Sequence, residues 1–139
     1  MFKLIYKLII AVAFIFSFCL ESGGELKGEG NHTFYFYSKS SQATIKTFSE
    51  QQAKQHVYFK NCLKGESVEF FSEDNAKIFI DSLNAKYVFC EKGEDFSCTY
   101  YYTGKIKNYV VLNGNKVNLH LSYGKGVYTV GSPIIFGSF

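Results

Sequence analysis

The sequence contains no arginine and no tryptophan. All 15 basic residues are lysine, set against 12 acidic residues. Arginine supplies the planar fork that grips phosphate and guanine. Its absence, with a formal net charge of only +3, argues against a nucleic-acid partner. Lys3 and Lys7 carry part of that charge, so the chain beyond them is close to neutral, about +1. The recognised catalytic and cofactor signatures are missing too. There is no Gly-x-Ser-x-Gly, no His-Glu-x-x-His, no P-loop and no dinucleotide fingerprint. Neither Cys-x-x-Cys nor His-x-x-x-His occurs, which speaks against a zinc site built from Cys62, Cys90, Cys98 and a histidine. No catalytic, cofactor-binding or metal residues are therefore assigned, and no cofactor is expected.

What is present begins with the amino terminus. Lys3 and Lys7 form a short basic region, and no charge occurs from Leu8 to Leu20. A signal-peptide core runs about 7–15 residues and a spanning helix about 20, so residues 1–20 read as a signal peptide or short membrane anchor, the length favouring the first. Ser17 and Cys19 are small enough to flank a cut at Leu20, and Ser22 and Gly24 offer a second pair. Residues 21–31, rich in Gly and Glu and without periodicity, read as a flexible linker. Residues 32–139 are the size of a single domain. An extracytoplasmic location follows, secreted or anchored on the outer face.

Along the domain, Thr33–Ser38 and Ala43–Phe48 are strand-like, with a turn at 38–41. Ser49 with Gln52 forms a capping box ahead of a helix over 50–62, although His56 to Phe59 is also acceptable strand sequence. A short strand over 66–71 precedes Ser72, an N-cap followed by Glu73 and Asp74. Ala76, Phe79, Ile80 and Leu83 then recur at helical spacing, and Asn84 is a stop. Strands 86–91 and 96–102 form a hairpin. Asn113-Gly114 turns strand 107–112 into strand 116–123. In the latter, Val117, Leu119, Leu121 and Tyr123 alternate with Lys116, Asn118, His120 and Ser122, predicting one buried and one wetted face with His120 exposed. A strand at 127–130, with Gly131-Ser132-Pro133 breaking the run before Ile134-Ile135-Phe136, completes an α+β domain: a mostly antiparallel sheet of six to eight strands with one or two helices on one face.

Cys19 belongs to the leader, which leaves Cys62, Cys90 and Cys98, an odd number for an exported chain. A hairpin symmetric about Glu94 would set Cys90 opposite Cys98 within disulfide reach. The alternative is two thiols packed as small hydrophobes. Cys62 is expected to stay a lone thiol packed on the sheet. Cys62 and His56 as nucleophile and base are disfavoured, because i and i+6 do not share a helix face. Aromatics make up 19% of the chain, which β-propensity and core packing explain, with an exposed aromatic patch as the alternative.

The carboxy-terminal stretch from Asn113-Gly114-Asn115-Lys116-Val117-Asn118-Leu119 to Gly131-Ser132-Pro133-Ile134-Ile135-Phe136-Gly137-Ser138-Phe139 resembles the ending of small secreted proteins of clostridia and related Gram-positive bacteria. Some of these are grouped with the YwmB-like family, described as having a TATA-box-binding-protein-like fold. The resemblance covers about the last third of the chain. It implies a sheet with helices on one face, supplies no active site and does not imply DNA binding. Two functions follow from the residues. The first is a non-catalytic binding or accessory domain for a protein, peptide or envelope component. The second is a small extracytoplasmic enzyme with scattered site residues. A cleft that gathers His56 or His120 with a carboxylate or Cys62 would favour the enzyme.

Overall fold

A computed structural model describes residues 1–38 and 43–133. The chain opens with α1 (Phe2–Cys19), a wholly exposed apolar helix, and passes directly into β1 (Leu20–Ser22). By length and composition α1 can cross a membrane, a test that a signal sequence also passes. Next come β2 (His32–Phe36), β3 (Thr44–Phe48), α2 (Glu50–Gln55) and β4 (Val57–Phe59). A 3-10 turn (Lys60–Cys62) leads into β5 (Leu63–Phe70), followed by α3 (Glu73–Ser82), β6 (Lys86–Lys92) and β7 (Phe96–Tyr102). The short strands β8 (Val110–Leu112) and β9 (Asn115–Val117) precede β10 (Leu119–Gly124) and β11 (Val127–Ser132).

The protein is α+β. Seven strands form an antiparallel sheet in the order β3-β2-β5-β11-β10-β7-β6. Two small ribbons, β1-β4 and β8-β9, flank it. The helix expected after Ser72 forms there. The Ser72 hydroxyl accepts from the Asn75 amide at 3.2 Å, and Glu73 and Asp74 occupy the positive end of the helix dipole. Ala76 and Ile80 are buried, while Phe79 and Leu83 pack at the edge of the same core against Val68, Phe70, Leu119, Leu121 and Val130. Asn84 stops the helix at φ 51°.

Elsewhere the chain departs from the sequence expectations. The helix begun by the Ser49–Gln52 capping box ends at Gln55, and the β-branched and aromatic run Val57–Phe59 pairs with β1 instead. Lys64 and Gly65 lie inside β5. The Asn113-Gly114 turn has both residues at positive φ, but it joins only the short strands β8 and β9. At Asn118 the chain leaves that ribbon. This buried side chain accepts from the Thr103 amide at 2.8 Å and donates to the carbonyls of Thr103 and Ile106. It satisfies a loop that has no ladder of its own. β10 then runs between β11 and β7, and its polar face is not wetted: Asn118, His120 and Ser122 are all buried. His120, expected to be exposed, stacks on Tyr100 at 4.5 Å. Alternation marks two faces but does not show that both are covered. The run Ile134-Ile135-Phe136 and most of the turn expected at 38–41 fall outside the described residues.

The glycine-rich stretch expected to be a linker is packed. Leu26 is fully buried in the α3 core, and the Gly30 amide donates to the Glu69 carbonyl at 3.0 Å. Residues 20–31 form a strap across the β2–β5 side of the sheet. Its glycines permit close approach: a Cβ on Gly28 would come within 2.5 Å of Val68.

Candidate functional site

Strand alternation places Glu66 on the same face of β5 as Val68 and Phe70, the face that forms the core. The α3 end of that face is covered by apolar side chains. Glu66 lies at the other end, where the strap crosses. One carboxylate oxygen accepts from the backbone amides of Glu25 at 2.6 Å and Leu26 at 2.9 Å. The other is buried, has no hydrogen-bond partner among the described residues and sits against Gly24, where a Cβ would lie 2.0 Å from it and 2.9 Å from the Phe34 ring. Gly24 adopts φ +68°. Burial pushes the Glu66 carboxyl up to about 7. The two amides oppose this, and the nearby Glu25 and Glu21 carboxylates add to it. Glu25 is itself raised by burial and by Glu21, with Lys107 pulling the other way. A cleft of about 320 Å³ opens beside them, lined by Glu21, Glu25 and Glu66 and by Lys60, Lys64 and Lys107. Lys60 pairs with Glu21 at 3.0 Å.

Tyr58 links this carboxylate to an aromatic corner. Its ring packs on Phe34 at 5.5 Å and Phe36 at 5.8 Å, and its hydroxyl is buried beside the Gly24 backbone. Burial first, then the charges of Glu66, Glu21 and Glu25, raise the phenol above its ordinary range, so it is a neutral hydrogen-bond donor. His56 lies over Phe48 at 4.5 Å and near Phe34 and Phe36, each at 6.2 Å. Lys46 stands 5.8 Å from the centre of the Phe36 ring. Phe36, Lys46, His56 and Tyr58 line a second cleft of about 310 Å³, whose rim includes Thr44 and Cys62. His56 and Cys62 therefore share a cleft. A helix running through both would set them on different faces, but α2 ends at Gln55, before either residue. No hydrogen bond joins the two side chains among the described residues. Cys62 is exposed, not packed on the sheet as expected.

The remaining sequence candidates are dispersed. Cys90 and Cys98 lie on the neighbouring strands β6 and β7, but the hairpin register is one residue from symmetric about Glu94. Cys90 faces Thr99 and Cys98 faces Glu91, with the pairing shifted between Tyr87 and Phe89. A one-residue slip moves a side chain to the opposite face, so the two thiols point to different sides of the sheet, and both are free. Cys98 is buried, which pushes its thiol up to about 11. His32 is buried beneath the strap with its ring near the Gly28 carbonyl at 3.4 Å, and burial holds it below the usual imidazole value. Burial likewise takes His120 down to about 4. Among the described residues, no three His, Cys, Asp or Glu side chains are grouped to hold a metal. A further concavity, about 880 Å³, lies between the hairpin tips 92–97 and 123–126 and is lined by exposed or half-exposed residues.

Sequence reasoning missed Glu66, Tyr58 and Gly24. The available signal was a carboxylate in phase with Val68 and Phe70, since a charge at an inward position requires a partner. No known protein family, curated protein or solved structure matches the chain, so nothing from those comparisons bears on the YwmB-like resemblance.

Proposed function

We propose that the chain is an extracytoplasmic binding or accessory domain that captures an extended peptide or protein segment at the β3 edge. The observation that carries this reading is an open edge strand beside an aromatic cleft. Among the described residues β3 pairs with β2 on one side only, and Thr44, Ile45, Lys46 and Thr47 are exposed. Thr44 and Lys46 border the cleft that holds Phe36, His56 and Tyr58. An added strand would take main-chain hydrogen bonds from β3 and set alternate side chains against those rings. Export is supported by the apolar α1 and by Lys3 and Lys7 at its start, which favour retention of the amino terminus inside. Display of random extended peptides on the full chain tests the reading. Selected binders should lose about tenfold or more in affinity to Ile45→Pro or Lys46→Pro, whichever removes an outward-facing amide. Binding indifferent to both prolines and to Phe36→Ala would refute it.

The enzyme alternative rests on one observation, the cleft shared by His56 and Cys62. Alkylation by iodoacetamide separates the readings. A Cys62 thiolate activated by His56 reacts as fast at pH 6 as at pH 8 and slows in His56→Ala. A rate that climbs with pH and ignores His56 leaves the binding reading alone.

A further inference from the structure

We infer that the β1-β4 ribbon is a membrane-seating face, which holds the domain flat on the lipid surface instead of letting it swing from its anchor. The inference rests on α1 remaining attached as an anchor. Three observations carry it. First, no spacer exists: α1 ends at Cys19, and Leu20 is already paired with Phe59. Second, the ribbon has two chemically different faces. Opposed residues share a face, so Tyr58 and Glu21 turn inward, while Leu20, Ser22, Val57 and Phe59 turn outward. Val57 is 55% exposed and Phe59 48%. Third, this outward face is continuous with the apolar helix. The Phe16 ring lies 6.4 Å from that of Phe59, and a concavity of about 400 Å³ between them is lined by Ile15, Phe16, Phe18, Cys19 and Phe59.

Phe16 is three residues from the end of α1, so it sits about 4–5 Å inside that end. A spanning α1 therefore brings Phe59 to the depth where aromatic side chains settle at the membrane interface. Lys46 borders the neighbouring cleft beside Phe59 and is suited to snorkel toward lipid headgroups. Release of α1 by cleavage at Leu20 would strip Phe59 of its Phe16 contact and leave the apolar face to water.

The absence of tryptophan makes this testable with single reporters in the full chain. Phe14→Trp reports the anchor, and Phe59→Trp reports the ribbon. Phe71→Trp, 77% exposed, reports the far end of β5, about 25 Å along the strand from Leu63. Each variant is reconstituted in vesicles of phosphatidylcholine and phosphatidylglycerol with brominated acyl chains. Seating predicts strong quenching at positions 14 and 59 and none at 71. Quenching at 14 without 59 leaves the anchor standing and overturns the seating. Loss of quenching at 14 removes the anchor and the seating with it. Quenching at all three positions contradicts a defined face.

Discussion

The same sheet face is covered in two different ways. Toward β10 and β11, α3 closes it with Ala76, Ile80 and the rims of Phe79 and Leu83. Toward β2 and β5, a backbone strap closes it, pinned by Glu66 and the Phe34 ring. The helix satisfies its own main chain and presents only apolar side chains. The strap presents backbone amides, which must find acceptors. A buried carboxylate is the result, and with it a titratable cleft.

The largest effects should come from emptying either cover. Phe34→Ala should cost about 3–5 kcal/mol and Ile80→Ala about 2–5 kcal/mol in urea melts. A loss below about 1 kcal/mol at Phe34 would mean that the strap side is not core. Phe79→Ala should cost less than Phe34→Ala, because Phe79 is only partly buried.

Next in size is the pH response. A carboxyl raised from 4.5 to about 7 binds its proton more tightly when folded, so its contribution to stability is full below about pH 4.5 and is lost as pH rises through 7. The amount is roughly 3 kcal/mol. His120, lowered from 6.5 to about 4, acts in the opposite sense: its contribution is present above pH 6.5 and lost as pH falls toward 4. The two oppose each other in the native chain. Glu66→Gln should expose the histidine, giving a protein that loses stability on acidification from pH 7.5 to 4.5 by roughly 3 kcal/mol more than the parent does. Parallel pH profiles for parent and variant would contradict the assignment.

Smaller effects follow from local geometry. Gly24→Ala must fit a methyl against Glu66 and Phe34 at positive φ and should cost about 1–3 kcal/mol. Ser72→Ala removes the cap of α3 and should cost about 1 kcal/mol. If Ser72→Ala proved the more damaging of the two, the strap would be looser than its contacts imply.

The contrast also explains what could be read in advance. α3 was legible because Ser72, Glu73, Asp74 and the apolar stripe all point to one helix. The turn at Asn113-Gly114 was legible, although alternation alone could not reveal that β10 is covered on both faces. The strap was not legible. Its glycines have the composition of a flexible spacer, and only the partner surface shows that they are required for close approach. Register was not legible either. A bulge between Tyr87 and Phe89 separates the faces of Cys90 and Cys98, and no residue there announces it. The candidate site was the least legible part, since Glu66, Tyr58 and His56 come together only once the strap and β4 are in place.

Amide hydrogen exchange at Glu25 and Leu26 tests the central claim, that the strap is a built part of the fold held by Glu66. Both amides donate to Glu66, so they should exchange far more slowly than an unstructured chain, and Glu66→Ala should abolish that protection while the α3 amides keep theirs. Exchange at unstructured rates in the parent protein would show residues 21–31 to be a linker after all and would dissolve the site.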